Sequence, residues 1–520
     1  CCIFVLINST MSATPTIILP ESFSGEQIEF ISNCVGTTFG LDEVETKSVI
    51  PFVRIECYKA NDLIYDVDDT SDSTYCVFKG EVRLKMLGQT LTEYIPGQLF
   101  GVVGFMETTA RRGAAIATTD CMVFALPRKH VLNVDAFHPR VAVKMMGIMG
   151  EQVAQFLSGS AVYDRQDVLI VQDGGCSPGY DTVTAMLVEY FEKRDRRITV
   201  ASQGFRSLLG KGDFRLLVHA KRLYEAVSLI PGILYAPPLK DRRGASFRSE
   251  RFPEFKEEAL VREAAELINK KAVRTLVTIG GNGTFLGTQA LCKFLKKDIR
   301  TFFIPVTIDS DVSGTESIGQ HTAVEFGAEK VRCYVADAMT HYRCCLYEMM
   351  GRDGGFHALY SGLGGGAHLV LVPDAKPDLP ALARKITRRP FTVIIVSEGY
   401  ERQKRKAEGN FGSASDYLLQ QLRATGLLDE KKRKCVSEPF TRDVRGVTAN
   451  NSDVVLAKRM AFKVAEMDSQ GLNQKMPSVS RTTSLVDFDD ICTNNEVPAE
   501  DVELANTLNI NLQWDPTVDS

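Results

Sequence analysis

An α/β domain built on parallel sheet, preceded by a small all-β domain, is the fold class this sequence predicts. Three observations carry the expectation. From about residue 166 to 465, apolar strands (VLIV, LVTIG, FFIPV, LVLVP, TVIIVSEG) alternate with helical segments, and that alternation implies a parallel sheet. From about 45 to 135 the strands are short and broken by glycine turns, as in YCVFKGEVRLKML and CMVFALP, which is all-β spacing. The chain of 520 residues is long enough for two or three domains.

Taken in order, the chain starts with a segment, 1–30, opening on CCIFVLINSTM. That apolar run is too short to span a bilayer and lacks the basic flank of a signal peptide. The chain starts on Cys, so the expected true start is Met11 or lies upstream. Residues 31–160 hold the β-rich domain and a helical stretch from about Pro139 to Leu157. Residues 161–468 form the α/β domain. Within it, EFKEEALVREAAELINKK places Leu260, Ala264, Leu267 and Ile268 on one helical face. Residues 469–520 are polar, with no Lys or Arg after Arg481, and read as an acidic, partly disordered tail. SRTTS within that tail is a short match to a protein-kinase target.

Composition excludes some function classes. Net charge is −4, from 61 basic and 65 acidic residues, so neither nucleic acid nor a membrane surface is expected as a bulk electrostatic partner. Thirteen cysteines are scattered without CxxC pairs or Cys/His clusters, which argues against zinc. A reducing cytoplasm is the expected compartment.

Two strands run into glycine-rich turns that open helices. VLIVQDGGCSPGYDT holds Gly174, Gly175 and Gly179, and LVTIGGNGTFLG holds Gly280, Gly281, Gly283 and Gly287. Such turns let backbone N–H groups approach an anion at a helix start. They also serve as plain tight turns, and neither is a Walker loop or a dinucleotide fingerprint. Farther on, FFIPVTIDSDVSGTESIG ends a strand in Asp309 and Asp311. Two residues apart in extended chain, their side chains point the same way. One suits general-base work on a sugar hydroxyl, and the other orienting it or holding Mg²⁺ beside substrate phosphates. The alternative is that the acids cap the following turn.

These motifs, in this order over about three-fifths of the chain, resemble the phosphofructokinase family. The matching segments are GGCSPGYDT, GASFRSERFPEFKEE, IGGNGT, PVTIDSDVSGTESIGQHTA, ADAMTHYRCCLYEMMGRDGG, SEGY, TRDVRG and DVVLAKRMA. The resemblance implies a two-lobed parallel-sheet domain. It implies transfer of the γ-phosphate of ATP, with Mg²⁺, to the 1-hydroxyl of fructose 6-phosphate. Carried over by position, Asp309 is the base, Asp311 supports it, and Thr307 contacts the transferred group. Met350, Gly351, Arg352 and Glu398 hold the sugar. Arg343, Arg445 and the nearby Arg442 belong to the 6-phosphate segments, where arginine forks suit phosphate. Gly174, Gly175, Arg251, Gly281, Asn282, Gly283 and Thr284 bind nucleotide, with Asn282 and Asp309 at the metal. In the family, part of the clamp comes from a neighbouring subunit, so a homo-oligomer, dimer or tetramer, is expected.

The chain departs from the family pattern at Asn282 and Cys176, where acids are usual. It departs again at Arg442, where histidine is common, and at Val436, where an arginine is expected and Lys434 lies near. These changes motivate an alternative, a catalytically weak or inactive sugar-phosphate or nucleotide-binding subunit. A second alternative is pyrophosphate as donor. Against it, Gly283 stands where pyrophosphate users carry a second acid, and Val306 where they carry Lys.

The β-rich region resembles the cyclic-nucleotide-binding fold, a β-roll, through IECYKANDLIYDVDDTSDSTYCVFKGEVRL and IPGQLFGVVGFMETTARRGAAIATTDCMVFALPR. The resemblance implies regulation by a nucleotide effector, with Arg111 or Arg112 taking its phosphate. Val102 stands where the family places the glutamate that takes the ribose hydroxyl, which removes that anchor.

Overall fold

The computed structural model describes residues 15–86, 89–107, 109–131, 138–157, 167–210, 212–228, 232–271, 273–439, 442–480 and 482–508. The N-terminal apolar run with Met11, Arg481 of SRTTS, and residues 509–520 lie outside them. The described chain divides into two units. The first takes Cys1–Asp167, Glu192–Ile198 and Arg215–Tyr235, and the second takes Val168–Phe191, Thr199–Phe214 and Ala236–Ser520. Two stretches of the expected α/β domain, Glu192–Ile198 and Arg215–Tyr235, thus cluster with the first unit.

In the first unit, the alternating segments form antiparallel strands β1 (Thr16–Ile18), β2 (Arg54–Tyr58), β3 (Leu63–Tyr65), β4 (Ser73–Lys79), β5 (Val82–Met86), β6 (Gln89–Tyr94), β7 (Leu99–Phe100), β8 (Ala114–Ala117) and β9 (Cys121–Pro127). They make two sheets, ordered β1-β2-β9-β4-β7 and β3-β8-β5-β6. One face of the strands buries Tyr65, Tyr75, Phe100 and Val123 together. The other packs Phe124 and Cys76 against Val35 of the helix Gly25–Phe39 and Met145 and Met149 of the helix Pro139–Leu157. That second helix has the bounds its sequence pattern implies.

Farther along come β10 (Val168–Gln172), β11 (Ile198–Ala201), β12 (Phe214–Val218) and β13 (Ile233–Tyr235). Residues of β12 and β13 bury Leu216, Val218 and Ile233 with Leu91 of β6 inside the first unit. There Asp195 accepts from Thr90 N and Oγ1 at 2.9 and 2.6 Å and pairs with Lys85 at 2.9 Å.

The remaining strands are β14 (Thr275–Gly280), β15 (Arg300–Pro305), β16 (Cys344–Met349), β17 (Leu369–Leu371), β18 (Thr392–Ser397), β19 (Cys435–Pro439), β20 (Lys475–Val479) and β21 (Thr483–Asp487). One sheet of the second unit runs β11-β10-β14-β15-β20-β21, and the other runs β17-β18-β16-β19. The pairs β10–β14, β14–β15, β16–β18, β16–β19 and β17–β18 are all parallel. Their uninterrupted apolar runs fit burial on both faces by helices. The helix Glu258–Lys270 buries Val261, Ala264, Ala265 and Ile268 on the first sheet, with Leu260 and Leu267 at its margin. On the second, Leu346 and Ile394 pack with Leu418.

Part of the tail, which composition marks as partly disordered, takes up regular structure. Among its described residues it forms the β20–β21 hairpin, paired antiparallel, and the helix Ala499–Leu508. Polar composition hides the reason. Its few apolar side chains, among them Met476 and Phe488, enter a cluster with Phe285 and Phe303.

Candidate active site

Parallel strands deliver all their carboxyl ends to one edge, where loops can converge on a ligand. Here β10 runs into Asp173, Gly174 and Gly175. β14 runs into Gly281 and the helix Asn282–Cys292, and β15 into Val306–Asp311. Gly174 sits at φ +97°, a conformation that side chains rarely adopt. The backbone N–H of Val306 donates to Gly280 O at 2.9 Å, and that of Thr307 to Ile318 O at 2.9 Å, so the acid loop is stitched to its neighbours. These ends line a cavity of about 550 Å³ whose walls include Gly175, Arg251, Asn282, Thr307, Asp309, Asp311, Arg352 and Arg445.

Asp309 and Asp311 are both buried, each 6% exposed, on either side of Ser310. Ser310 itself has φ +53°. The Asp309 backbone N–H donates to Thr307 Oγ1 at 3.0 Å. Its Oδ2 lies 3.3 Å from Arg352 Nε. One oxygen of each acid, Oδ1, is buried with no protein partner. Burial raises the Asp309 pKa, while Arg352 and then Arg445 oppose the rise. Asp311 is pushed up to about 6, by burial first and by the Asp309 charge second. The pair therefore resists holding two negative charges unless cations or a ligand compensate.

The cations stand opposite. Arg352, at φ +48°, also reaches Asn282 Oδ1 through Nη1 at 3.2 Å. Its backbone N–H and that of Gly351 donate to Glu398 Oε2 at 3.2 and 3.3 Å. Glu398, just past β18, thus fixes the loop that follows β16. Arg251 has its pKa lowered by burial and then by the charges of Arg352 and Arg445, so three guanidiniums share the space. Crowded cations are costly without an anion, and phosphate oxygens are the natural counter-charge. Gly175 lets Arg251 in, since a Cβ there would lie 3.2 Å from Arg251 Nη2.

The structure brings together Gly174, Gly175, Arg251, Gly281, Asn282, Gly283, Thr284, Thr307, Asp309, Asp311, Arg352 and Arg445 at the cavity. Gly351 and Glu398 lie just behind its wall through the bonds above, and Met350, next to Gly351, turns its O toward His357 Nδ1 at 3.1 Å. Arg343 and Arg442 do not join them. Arg343 pairs with Asp337 at 3.8 Å, and Arg442 is exposed. Cys176 donates to Arg445 O at 3.2 Å, tying the first glycine loop to the arginine segment.

Sequence reasoning missed Asp173. It is buried, accepts from Phe205 N at 3.2 Å and Thr284 Oγ1 at 3.0 Å, and is pushed up to about 6 by burial. It knots the two glycine loops together. An acid directly before a double glycine at a strand end was the available signal. Phe205, Phe252 and Phe255 also line the cavity, and Phe205 stacks on Phe255 with ring centres 4.5 Å apart. For Phe252 and Phe255, the aromatics flanking Arg251 in FRSERFPEF were the signal.

In the first unit, Arg111 is 4% exposed. Its Nη1 donates to Gly101 O at 2.7 Å and its Nη2 to Ser73 O, and its guanidinium lies 4.3 Å from the Tyr65 ring centre. Arg112 is exposed.

Two parallel sheets carrying a shared cavity, with an antiparallel β-domain ahead of them, define an α/β protein with an N-terminal β-module. The chain belongs to the phosphofructokinase family, whose model matches residues 167–467, more than half of its length. Residues 55–136 match the cyclic nucleotide-binding domain. The chain is 28% identical over 353 residues to an ATP-dependent 6-phosphofructokinase of Staphylococcus epidermidis, covering 66% of this chain and 99% of that one. It is 31% identical over 239 residues to the enzyme of the same description from Macrococcus caseolyticus, covering 45% and 69%. Among solved structures, phosphofructokinase from Saccharomyces cerevisiae shares the fold with TM-score 0.51 and 19% identity, over 66% of this chain and 46% of that one. The chain thus spans about half of the yeast chain's length. A pyrophosphate-dependent phosphofructokinase from Nitrosospira multiformis shares it with TM-score 0.52 and 16% identity, over 68% and 94%. Among the described residues, no helix is long and apolar enough to cross a membrane.

Proposed function

We propose that the chain phosphorylates fructose 6-phosphate at its 1-hydroxyl, with ATP as donor. One observation carries this reading: Asp309 faces the cavity, ion-paired to Arg352 and with one buried oxygen unpartnered. We assign that oxygen as the acceptor of the hydroxyl proton, while Arg352 favours the ionised carboxylate against the effect of burial and orients it. Arg251, Arg352 and Arg445 neutralise phosphate charge, and the Gly174–Gly175 and Gly281–Gly283 turns present backbone N–H groups. Phosphoryl transfer asks for little more than such positioning and charge neutralisation. ATP is favoured over pyrophosphate because a Cβ at Gly283 would meet nothing within 4 Å, and the aromatic wall suits a nucleoside.

Mg²⁺ fits this site. Asp311 Oδ1 is an orphaned buried oxygen beside the base, and Asn282 Oδ1, which also accepts from Arg352 Nη1 at 3.2 Å, is the neighbouring neutral donor. Among the described residues no cluster of three His, Cys, Asp or Glu forms a cage; Mg²⁺ sites of this kind usually combine one or two carboxylates with substrate phosphates. When bound it would neutralise charge on the transferring group. The test of the reading is a coupled assay with purified protein, Mg²⁺, fructose 6-phosphate and either ATP or pyrophosphate.

A second reading, a subunit that binds sugar phosphate without turnover, is favoured by Asn282, whose amide oxygen is already engaged by Arg352. Asn282→Asp separates the two, since a gain of turnover from an inactive parent identifies the weak subunit. We also propose a homo-oligomer. Arg343 and Arg442 sit away from their own chain's cavity, as residues that serve a second copy would. The N-terminal unit fits a regulatory module, because Glu192–Ile198 and Arg215–Tyr235 of the family-matched region cluster with it. An effector phosphate reaching Arg111 would have to displace the carbonyls of Ser73 and Gly101.

A further inference from the structure

We propose that the C-terminal segment from Ser478 to Asn495 acts as a strap that sets the geometry of the acid loop, with Asn495 as its positioning residue. The inference rests on the proposed phosphoryl transfer at Asp309. Between the two acids, Ser310 is held at φ +53°, a conformation that non-glycine residues rarely adopt and that is strained without support. Left alone, Ser310 would relax and swing both carboxylates. Two side chains oppose that. Ser310 Oγ donates to Gln320 Oε1 at 2.7 Å. Asn495 Nδ2 donates to Ser310 O at 3.0 Å.

The rest of the strap repeats the pattern along the loop. Ser478 Oγ donates to Gly314 O at 2.5 Å, and Val479 N to Thr315 Oγ1 at 2.9 Å. Glu316 N donates back to Val479 O at 3.2 Å. Cys492 N donates to Ser313 Oγ at 2.8 Å, and Ser313 N to Cys492 O at 2.9 Å. Asn495 also leaves little room beside the loop that carries Arg352. A Cβ on Gly354 would lie 3.0 Å from Asp309 O and 3.3 Å from Asn495 O. Asn495 therefore lies between the acid loop, which it hydrogen-bonds, and the loop that carries Arg352. The strap is anchored beyond by Tyr360 Oη donating to Asp501 Oδ2 at 2.5 Å.

Asn495→Asp tests this, because it keeps the shape and removes the donor. In the full chain, amide hydrogen exchange over residues 309–316 should speed by about tenfold, while exchange in β14 stays unchanged. With ATP, Mg²⁺ and fructose 6-phosphate, kcat should fall by about tenfold to a hundredfold with KM for both substrates within about twofold, as for an interaction made in the transition state. If Asn495→Asp does not fold, Ser478→Ala should give a smaller acceleration over the same peptides. Unchanged exchange over 309–316 overturns the strap, whatever the activity. Unchanged kcat beside faster exchange overturns Asn495 as a positioning residue. A parent without turnover, beside faster exchange in the variant, leaves the strap standing and removes the transfer reading instead.

Discussion

Asp311→Asn should make the folded chain more stable at alkaline pH while weakening its chemistry. Asp311 is pushed from 3.8 to about 6 by burial and by its neighbour Asp309. A tenfold change in proton affinity corresponds to about 1.4 kcal/mol, so the roughly hundredfold tighter proton on folded Asp311 amounts to about 3 kcal/mol. The raised pKa favours the neutral form in the folded state. Its contribution to stability is complete below about pH 4 and is lost as pH rises through about 6. Asparagine never ionises and escapes that loss. Relative to the parent, the variant should gain about 3 kcal/mol at pH 8 and about 1 kcal/mol at pH 4.5. The unpaired amide costs a constant amount at both, so the difference of about 2 kcal/mol between the two pH values is the quantity to read. Urea unfolding followed by circular dichroism at pH 8 and pH 4.5 measures it. A gain independent of pH, or larger at pH 4.5, would refute the reasoning, because the burial and charge of the acid pair could then not be its cause.

Other perturbations probe separate parts. Arg111→Ala should destabilise the first unit by about 2 kcal/mol or more, since it frees two buried carbonyls, and cyclic AMP should leave the parent's melting temperature unchanged; a raised temperature would show that the ligand does displace those carbonyls. Gly283→Asp puts an acid where a Cβ meets open space at a helix start. Folding should survive, while KM for ATP rises about tenfold, and an unchanged KM would place the nucleotide elsewhere. Gly319→Ala would set a Cβ 2.4 Å from Ser177 Oγ at φ +98°, costing about 2 kcal/mol or more in unfolding measurements; a neutral result would mean that the contact relaxes freely.

Much of the fold was legible because its signals are local. FFIP followed by TIDSD shows a buried strand ending in acids, and the structure keeps both at the strand's carboxyl end. The helix around Ala264 and Ile268 follows from apolar spacing alone. What the sequence hid depends on distant partners. Asp173 reads as part of a glycine turn until β10 and β14 lie side by side and bring Thr284 to it. The carbonyl partners of Arg111 appear only once β4 brings Ser73 beside it. The tail looks disordered because average polarity outweighs Met476 and Phe488, which fill one cluster. Nothing near Asn495 in sequence points to Ser310, 185 positions away.

The most direct test of the account is product formation by the purified full chain and by Asp309→Asn, with ATP, Mg²⁺ and fructose 6-phosphate. The account predicts fructose 1,6-bisphosphate from the parent. It predicts a rate lower by about 10²–10⁴ from the variant, with sugar-phosphate binding retained. Turnover that persists undiminished in Asp309→Asn would contradict it.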